Sequence, residues 1–164
     1  MGGGSSGTRG VHSSYAGTGS YNATLDTYTQ EQEHKPKVFI SFSYRNIAQV
    51  ELLREQASNE KYDIDFNDNS LQYSVKSRDW HGPVGTKIVN SDAMIVMIGE
   101  DTASRSAVSW EIKQAYQNDI PVIPVYVHKD RTVEVPKEIK YNGDKPIKWK
   151  LDNIQYELEK ANGG

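Results

Sequence analysis

Two uncharged apolar runs flanking a helical stripe constrain this chain more than any other feature. Residues 93–98 read Ala-Met-Ile-Val-Met-Ile, and residues 122–127 read Val-Ile-Pro-Val-Tyr-Val. Both have the length and β-branched content of strands covered on both faces. Between them Val108, Ile112 and Ala115 recur at i, i+4 and i+7, one face of a helix. Strand, crossover helix and strand make a parallel βαβ unit, which is nearly always right-handed. In such sheets ligands sit beyond the carboxyl ends of the strands. Glu111 falls near the start of the crossover helix, at that end.

The rest of the chain extends the same pattern. Residues 37–43, Lys-Val-Phe-Ile-Ser-Phe-Ser, predict a first strand. Ser43 or Asn46 is expected to cap a helix whose buried stripe is Ile47, Val50, Leu53 and Ala57. Residues 62–66 alternate and predict a short strand with Asp63 and Asp65 on one face. Residues 67–70 are a turn cluster, and a polar connection runs on to Asp79. Trp80, Val84 and Ile88 have helical spacing, and Pro83 places the expected helix start at that proline. After residue 127 a polar stretch with Pro136, Gly143 and Pro146 leads to a short strand at 146–149. Leu151, Ile154 and Leu158 mark a closing helix that Asn162 and the glycines after it stop. This order predicts an α/β fold: a doubly wound open parallel sheet in the order 2-1-3-4, with a fifth strand at the edge and helices on both faces.

Residues 1–36 are a different material. They are rich in Gly, Ser and Thr and hold few large apolar side chains, too little to offset chain entropy. They are expected to be a disordered low-complexity leader or appended tail, with one domain over residues 37–162. With a net charge of −3, nucleic acid is not the expected partner. The sequence has no cysteine, which removes thiol nucleophiles and thiolate metal sites. No apolar run approaches the roughly 20 residues that span a membrane, so a cytoplasmic protein with no membrane partner is expected. His12, His34, His81 and His128 are scattered without ligand spacing, so no metal site is expected.

Among polar residues Glu111 stands first. A glutamate early in a helix is favoured by the dipole alone, which would explain an exposed residue. Between Trp110 and Ile112, however, it lies at the edge of the buried face, where a carboxylate costs desolvation energy unless it has a partner or a task. The loop after the first strand, Phe42-Ser43-Tyr44-Arg45, offers a hydroxyl, aromatic faces and a guanidinium. It lacks the closely spaced glycines of a phosphate cradle, which argues against a dehydrogenase or a nucleoside triphosphatase. A phosphoryl-transfer receiver would need acidic residues after the first strand to hold Mg²⁺, and Ser41-Phe42-Ser43 supplies none. Asp101, Thr102, Ser104 and Ser106 are the candidate caps of the crossover helix.

Taken together, the first strand through Tyr44, Ser91-Asp92, Gly99-x-x-Thr102, Val108-x-Trp110-Glu111-Ile112 and Ile120-Pro-Val-Ile-Pro124 resemble the TIR-like domain of bacterial Thoeris anti-phage systems, a divergent branch of the Toll/interleukin-1 receptor (TIR) fold. The resemblance runs in one register over about residues 37–128. It implies a flavodoxin-like sheet and an enzyme that cleaves the nicotinamide glycosidic bond of NAD+, as substrate and not as cofactor. The product would be a cyclic ADP-ribose-type messenger read by an effector protein. The resemblance puts the catalytic carboxylate on Glu111 and lines the nucleotide cleft with Phe42, Ser43, Tyr44 and Trp110; Arg45 and Asp101 complete the expected substrate-binding set. The chain departs at Ala107, where many TIR domains carry tryptophan, and Ser104, Arg105 and Ser106 also differ from the family pattern. Two alternatives stand beside this: an adaptor acting only through contacts between copies of itself, and an enzyme resembling nucleoside deoxyribosyltransferases, which use a glutamate on a similar scaffold.

Overall fold

The computed structural model describes residues 35–60, 62–66, 79–129 and 133–163. The expected leader, apart from Lys35 and Pro36, and the connection over 67–78 lie outside the described residues. Five parallel strands form one sheet: β1 (Lys37–Phe42), β2 (Asp65–Phe66), β3 (Ala93–Ile98), β4 (Val122–Tyr126) and β5 (Ile147–Lys148). Their order is β2-β1-β3-β4-β5, as the sequence predicts. The helices are α1 (Ile47–Asn59), α2 (His81–Val89), α3 (Ser106–Gln117), α4 (Lys137–Asn142) and α5 (Leu151–Ala161).

Strand periodicity divides the core into two clusters. Val38 and Ile40, Ile95 and Met97, and Ile123 and Val125 pack with Val50, Leu53 and Ala57 of α1 and Leu151, Ile154 and Leu158 of α5. The alternate residues, Phe39, Met94, Val96, Ile98 and Val122, pack with Val84 and Ile88 of α2, Val108, Ile112 and Ala115 of α3, and Ile139 of α4. All six residues of β3 are buried, because it is the central strand of the five and is covered on both faces. Each large apolar side chain so buried contributes about 1.5–3 kcal/mol, which makes the helix stripes the chief source of helix stability.

Pro124 sits in β4 without breaking the ladder. Val127 donates its N–H to Ile98 on the β3 side. By alternation the N–H that Pro124 lacks would point toward β5, whose pairing begins only at Val125. Ser91 and Asp92 close the turn from α2 to β3. Ser91 Oγ donates to the Lys87 carbonyl at 2.7 Å, and the Lys37 N–H donates to Asp92 Oδ2 at 2.8 Å while Asp92 N–H returns to the Lys37 carbonyl. The start of β1 is thereby pinned beside β3.

Several local expectations are corrected. The helix expected from Pro83 begins at His81, with the Val84 N–H bonded to the Trp80 carbonyl; proline fits in a first turn because its missing N–H would have had no helical partner there. Neither Ser43 nor Asn46 caps α1 by its side chain. A single 3₁₀ turn, Tyr44–Asn46, stands between β1 and α1 instead. No side chain caps α3 either, whose N-cap is Arg105. The polar stretch after residue 127 holds the short helix α4, bounded by Pro136 and by Gly143 in the left-handed region (φ 82°). β2 and β5 are two residues each, shorter than expected.

Candidate functional site

The chain crosses from one face of the sheet to the other between β1 and β3, and their carboxyl ends define the crevice at which open α/β sheets bind ligands. Three segments meet there: the end of β1 with its 3₁₀ turn, the loop leaving β3, and the first half of α3.

Glu111 lies in the second turn of α3, not the first. The dipole of the helix end falls off within one turn and does little for it. The side chain turns in toward β1 and is 8% exposed. Ser41 Oγ donates to Glu111 Oε1 at 3.3 Å, across 70 residues of sequence. Among the described residues it is the one hydrogen-bond partner of this carboxyl, and it is weak. Burial therefore dominates, pushing the Glu111 carboxyl from 4.5 up to about 8 despite the Ser41 hydroxyl, which works the other way. An acid held in this state beside the sheet edge is poised to become a charge when a cation arrives to compensate it.

The loop after β3 is built around Thr102. Its hydroxyl accepts from the Gly99 N–H at 2.8 Å and donates to the Met97 carbonyl at 3.3 Å, closing the turn of the Gly99-x-x-Thr102 segment. Gly99 must be glycine for another reason: a Cβ there would stand 2.4 Å from Asn46 Oδ1. The Asn46 amide thus packs directly on the Gly99 backbone and ties the β1 turn to the β3 loop. Asp101, in the same loop, accepts two hydrogen bonds from Arg105, at 2.8 and 2.6 Å, and lies 3.7 Å from Arg45 Nε. Partial burial works to raise the Asp101 carboxyl. The Ser43 hydroxyl and the two guanidinia outweigh it and hold the group below the usual carboxylate range. Ser43, itself buried, approaches Asp101 without closing a hydrogen bond of normal geometry.

The expected cleft residues separate into groups. Ser43, Arg45 and Asp101 meet where the β1 turn faces the β3 loop, and Glu111 reaches β1 through Ser41. Tyr44 stands out from the turn, 74% exposed. Phe42 packs against the α1–α5 cluster, on the face of β1 opposite Ser41 and Glu111. Trp110 turns to α2, where its ring meets Trp80 and His81 edge-on at 5.1 and 4.8 Å while those two stack at 3.9 Å. Gly85 of α2 lies under the Trp110 ring, where an added Cβ would make only an ordinary contact at 3.5 Å. Ala107, the departure noted above, is exposed. Sequence reasoning passed over Ser41 and Arg105. The alternation of β1 places Ser41 on the α3 face, and an Asp–Arg pair four apart is a known signal for a local ion pair. Among the described residues no group of three or more His, Cys, Asp or Glu is placed to hold a metal ion, and no helix is long and apolar enough to cross a membrane.

The family model of the Thoeris protein ThsB, TIR-like domain, matches residues 39–132. No curated protein matches the chain. Among solved structures, the TIR domain of the Toll-related receptor TRR-2 from the lower metazoan Hydra magnipapillata is 16% identical, covering 75% of this chain and 91% of that one at a TM-score of 0.50. The RPS4 and RRS1 TIR domain heterodimer is 10% identical, covering 78% of this chain and 98% of that one, also at 0.50. At such identities the likeness shows the fold alone. The sheet order, the packed Gly99–Thr102 turn and a family match across more than half of the sequence agree: the chain belongs to the TIR-like domain family of the Thoeris protein ThsB.

Proposed function

We propose that the protein cleaves the nicotinamide glycosidic bond of NAD+, with Glu111 as the catalytic carboxylate, and that the ADP-ribose part leaves as a cyclic messenger for an effector protein in anti-phage defence. The observation that carries this reading is the placement of Glu111, buried at the carboxyl edge of β1 with one weak partner and a carboxyl pushed up to about 8. Nicotinamide leaves as a neutral base, so the bond needs no general acid. What the transition state needs is a negative charge beside the oxocarbenium-like ribose, which a single carboxylate supplies. The positively charged nicotinamide ring of the bound substrate favours the ionised form of Glu111. Attack on the ribose carbon by a group of the same molecule closes a ring, and attack by water gives free ADP-ribose; a site that excludes water favours the first.

The test is release of nicotinamide from NAD+ by the purified protein. Glu111→Gln, which keeps the shape and loses the charge, is expected to lower the rate about 100-fold or more. Cleavage untouched by this change would remove Glu111 from the mechanism.

A second reading, action through TIR–TIR contacts, is favoured by the hollow of about 410 Å³ that Leu52 of α1 forms with Trp149 and Leu151 at the start of α5. The RPS4 and RRS1 TIR domains, of the same fold, form a heterodimer. Sedimentation over a range of concentrations tests it: a second copy on this surface predicts association that Leu52→Asp weakens.

A further inference from the structure

The sequence holds two Asn-Gly dipeptides, Asn142–Gly143 and Asn162–Gly163. An asparagine before glycine is open to attack by its own backbone, because a glycine, lacking a Cβ, leaves its nitrogen free to reach the preceding side chain. That nitrogen, once its proton is lost, bonds to the asparagine Cγ, and the side-chain nitrogen leaves as ammonia. Water then opens the cyclic imide at either carbonyl, giving aspartate or isoaspartate. The balance is one water taken up and one ammonia released, with no oxidant or cofactor.

Both dipeptides end a helix, and the fold treats them differently. Asn142 is the last residue of α4, and Gly143 follows in the left-handed region at φ 82°. The Gly143 N–H donates to the carbonyls of Ile139 and Lys140 at 3.1 and 3.2 Å. Asn142 Nδ2 donates to the Glu138 carbonyl at 2.8 Å. Nucleophile and target are both engaged. Asn162 follows α5 and bonds through its own N–H to the Leu158 carbonyl. Among the described residues neither its side chain nor the Gly163 N–H has a partner, and both residues are exposed. α4 has six residues, too few to stay helical alone. Ile139, fully buried, and Glu138, bonded to Ser109 of α3, hold it in place. The bonds that protect Asn142 last only while those contacts do.

We propose that Asn142 is a spontaneous deamidation site that α4 keeps closed, reacting only when this helix opens, while Asn162 reacts in the folded chain. Local opening sets the rate at Asn142, as it sets amide hydrogen exchange. The product loosens the helix further. A carboxylate at position 142 withdraws the donor from the Glu138 carbonyl and puts negative charge at a helix C-terminus. Isoaspartate adds a methylene to the backbone just before Gly143. Each weakens the cap, so α4 opens more readily and its hold on α3 slackens.

The test follows both sites in the full chain by peptide mapping, with mass spectrometry for the change from amide to acid and chromatography to resolve isoaspartate. In warm neutral buffer Asn162 is expected to convert at least about tenfold faster than Asn142. In urea beyond the unfolding midpoint the two rates should come within about threefold, since only local sequence is left to set them. Ile139→Ala, which loosens α4, is expected to speed Asn142 about tenfold and leave Asn162 unchanged. Should that variant fail to fold, urea below the midpoint serves the same end on the parent chain, speeding Asn142 alone. Asn142→Asp should lower the denaturant midpoint more than Asn162→Asp does. Equal rates in the folded chain, a gap that persists in urea, or an Asn142 rate indifferent to the loosening of α4 would overturn the proposal.

Discussion

At the scale of single residues, the proposed chemistry hangs on where Glu111 keeps its proton. Its raised pKa means the folded protein binds that proton more tightly than the unfolded chain does. The stability this confers is complete below 4.5 and is lost as pH rises through about 8. Glu111→Gln should therefore be more stable than the parent at neutral pH and above, by on the order of 3 kcal/mol, with the difference vanishing toward pH 4.5 in denaturant titrations. The proposed activity should run the other way, because the ionised form is the one that stabilises a cation. kcat/KM for NAD+ should climb about tenfold per pH unit below about 8 and level above it, while the kcat profile turns at lower pH because the bound nicotinamide cation favours the carboxylate. A flat profile across this range would separate the rate from Glu111. Thr102 offers a test of a structural kind. Thr102→Val leaves the Gly99 N–H and the Met97 carbonyl without their buried partner and should cost about 1–3 kcal/mol by chemical denaturation.

At the scale of elements, the site depends on two contacts between segments distant in sequence. One is Asn46 of the β1 turn against Gly99 of the β3 loop. Gly99→Ala would force the Asn46 amide aside, and about 1–3 kcal/mol of destabilisation is expected in thermal or denaturant unfolding. The other is α4, which closes the face carrying α3. Glu138 is buried there, bonded to Ser109 of α3 and within 4.0 Å of Lys113, and Ile139 is fully covered. Ile139→Ala should cost about 2–5 kcal/mol, and because α4 buttresses α3 the melting temperature and NAD+ turnover should fall together. The stripes of α1, α3 and α5 were all legible as periodicity. α4 was not, because six residues with one apolar side chain present no period to read, although the proline before it and the glycine after it are the usual marks of a helix start and stop.

At the scale of the whole molecule, the doubly wound sheet puts the end of β1, the loop leaving β3 and the first half of α3 in one place, at the point where the chain changes face. If copies associate through the α1–α5 surface, NAD+ cleavage per molecule should depend on protein concentration, and Leu52→Asp should make it independent of concentration while Glu111 is intact. A specific activity that is the same at all concentrations in both proteins would confine function to the single subunit.

The sequence by itself determined the strand order, the division of the core into two faces and the arrival of one carboxylate at the sheet edge. Each of these follows from burial periodicity within an element and from the handedness of strand–helix–strand crossovers. The tertiary structure decided the rest: that Ser41 is the partner of Glu111, that Phe42 belongs to the opposite face, that Trp110 turns to Trp80 and His81, and that Arg105 joins Arg45 on Asp101. Most of these are meetings of side chains from different elements. A local pattern records only whether a position is covered, not which distant atom covers it.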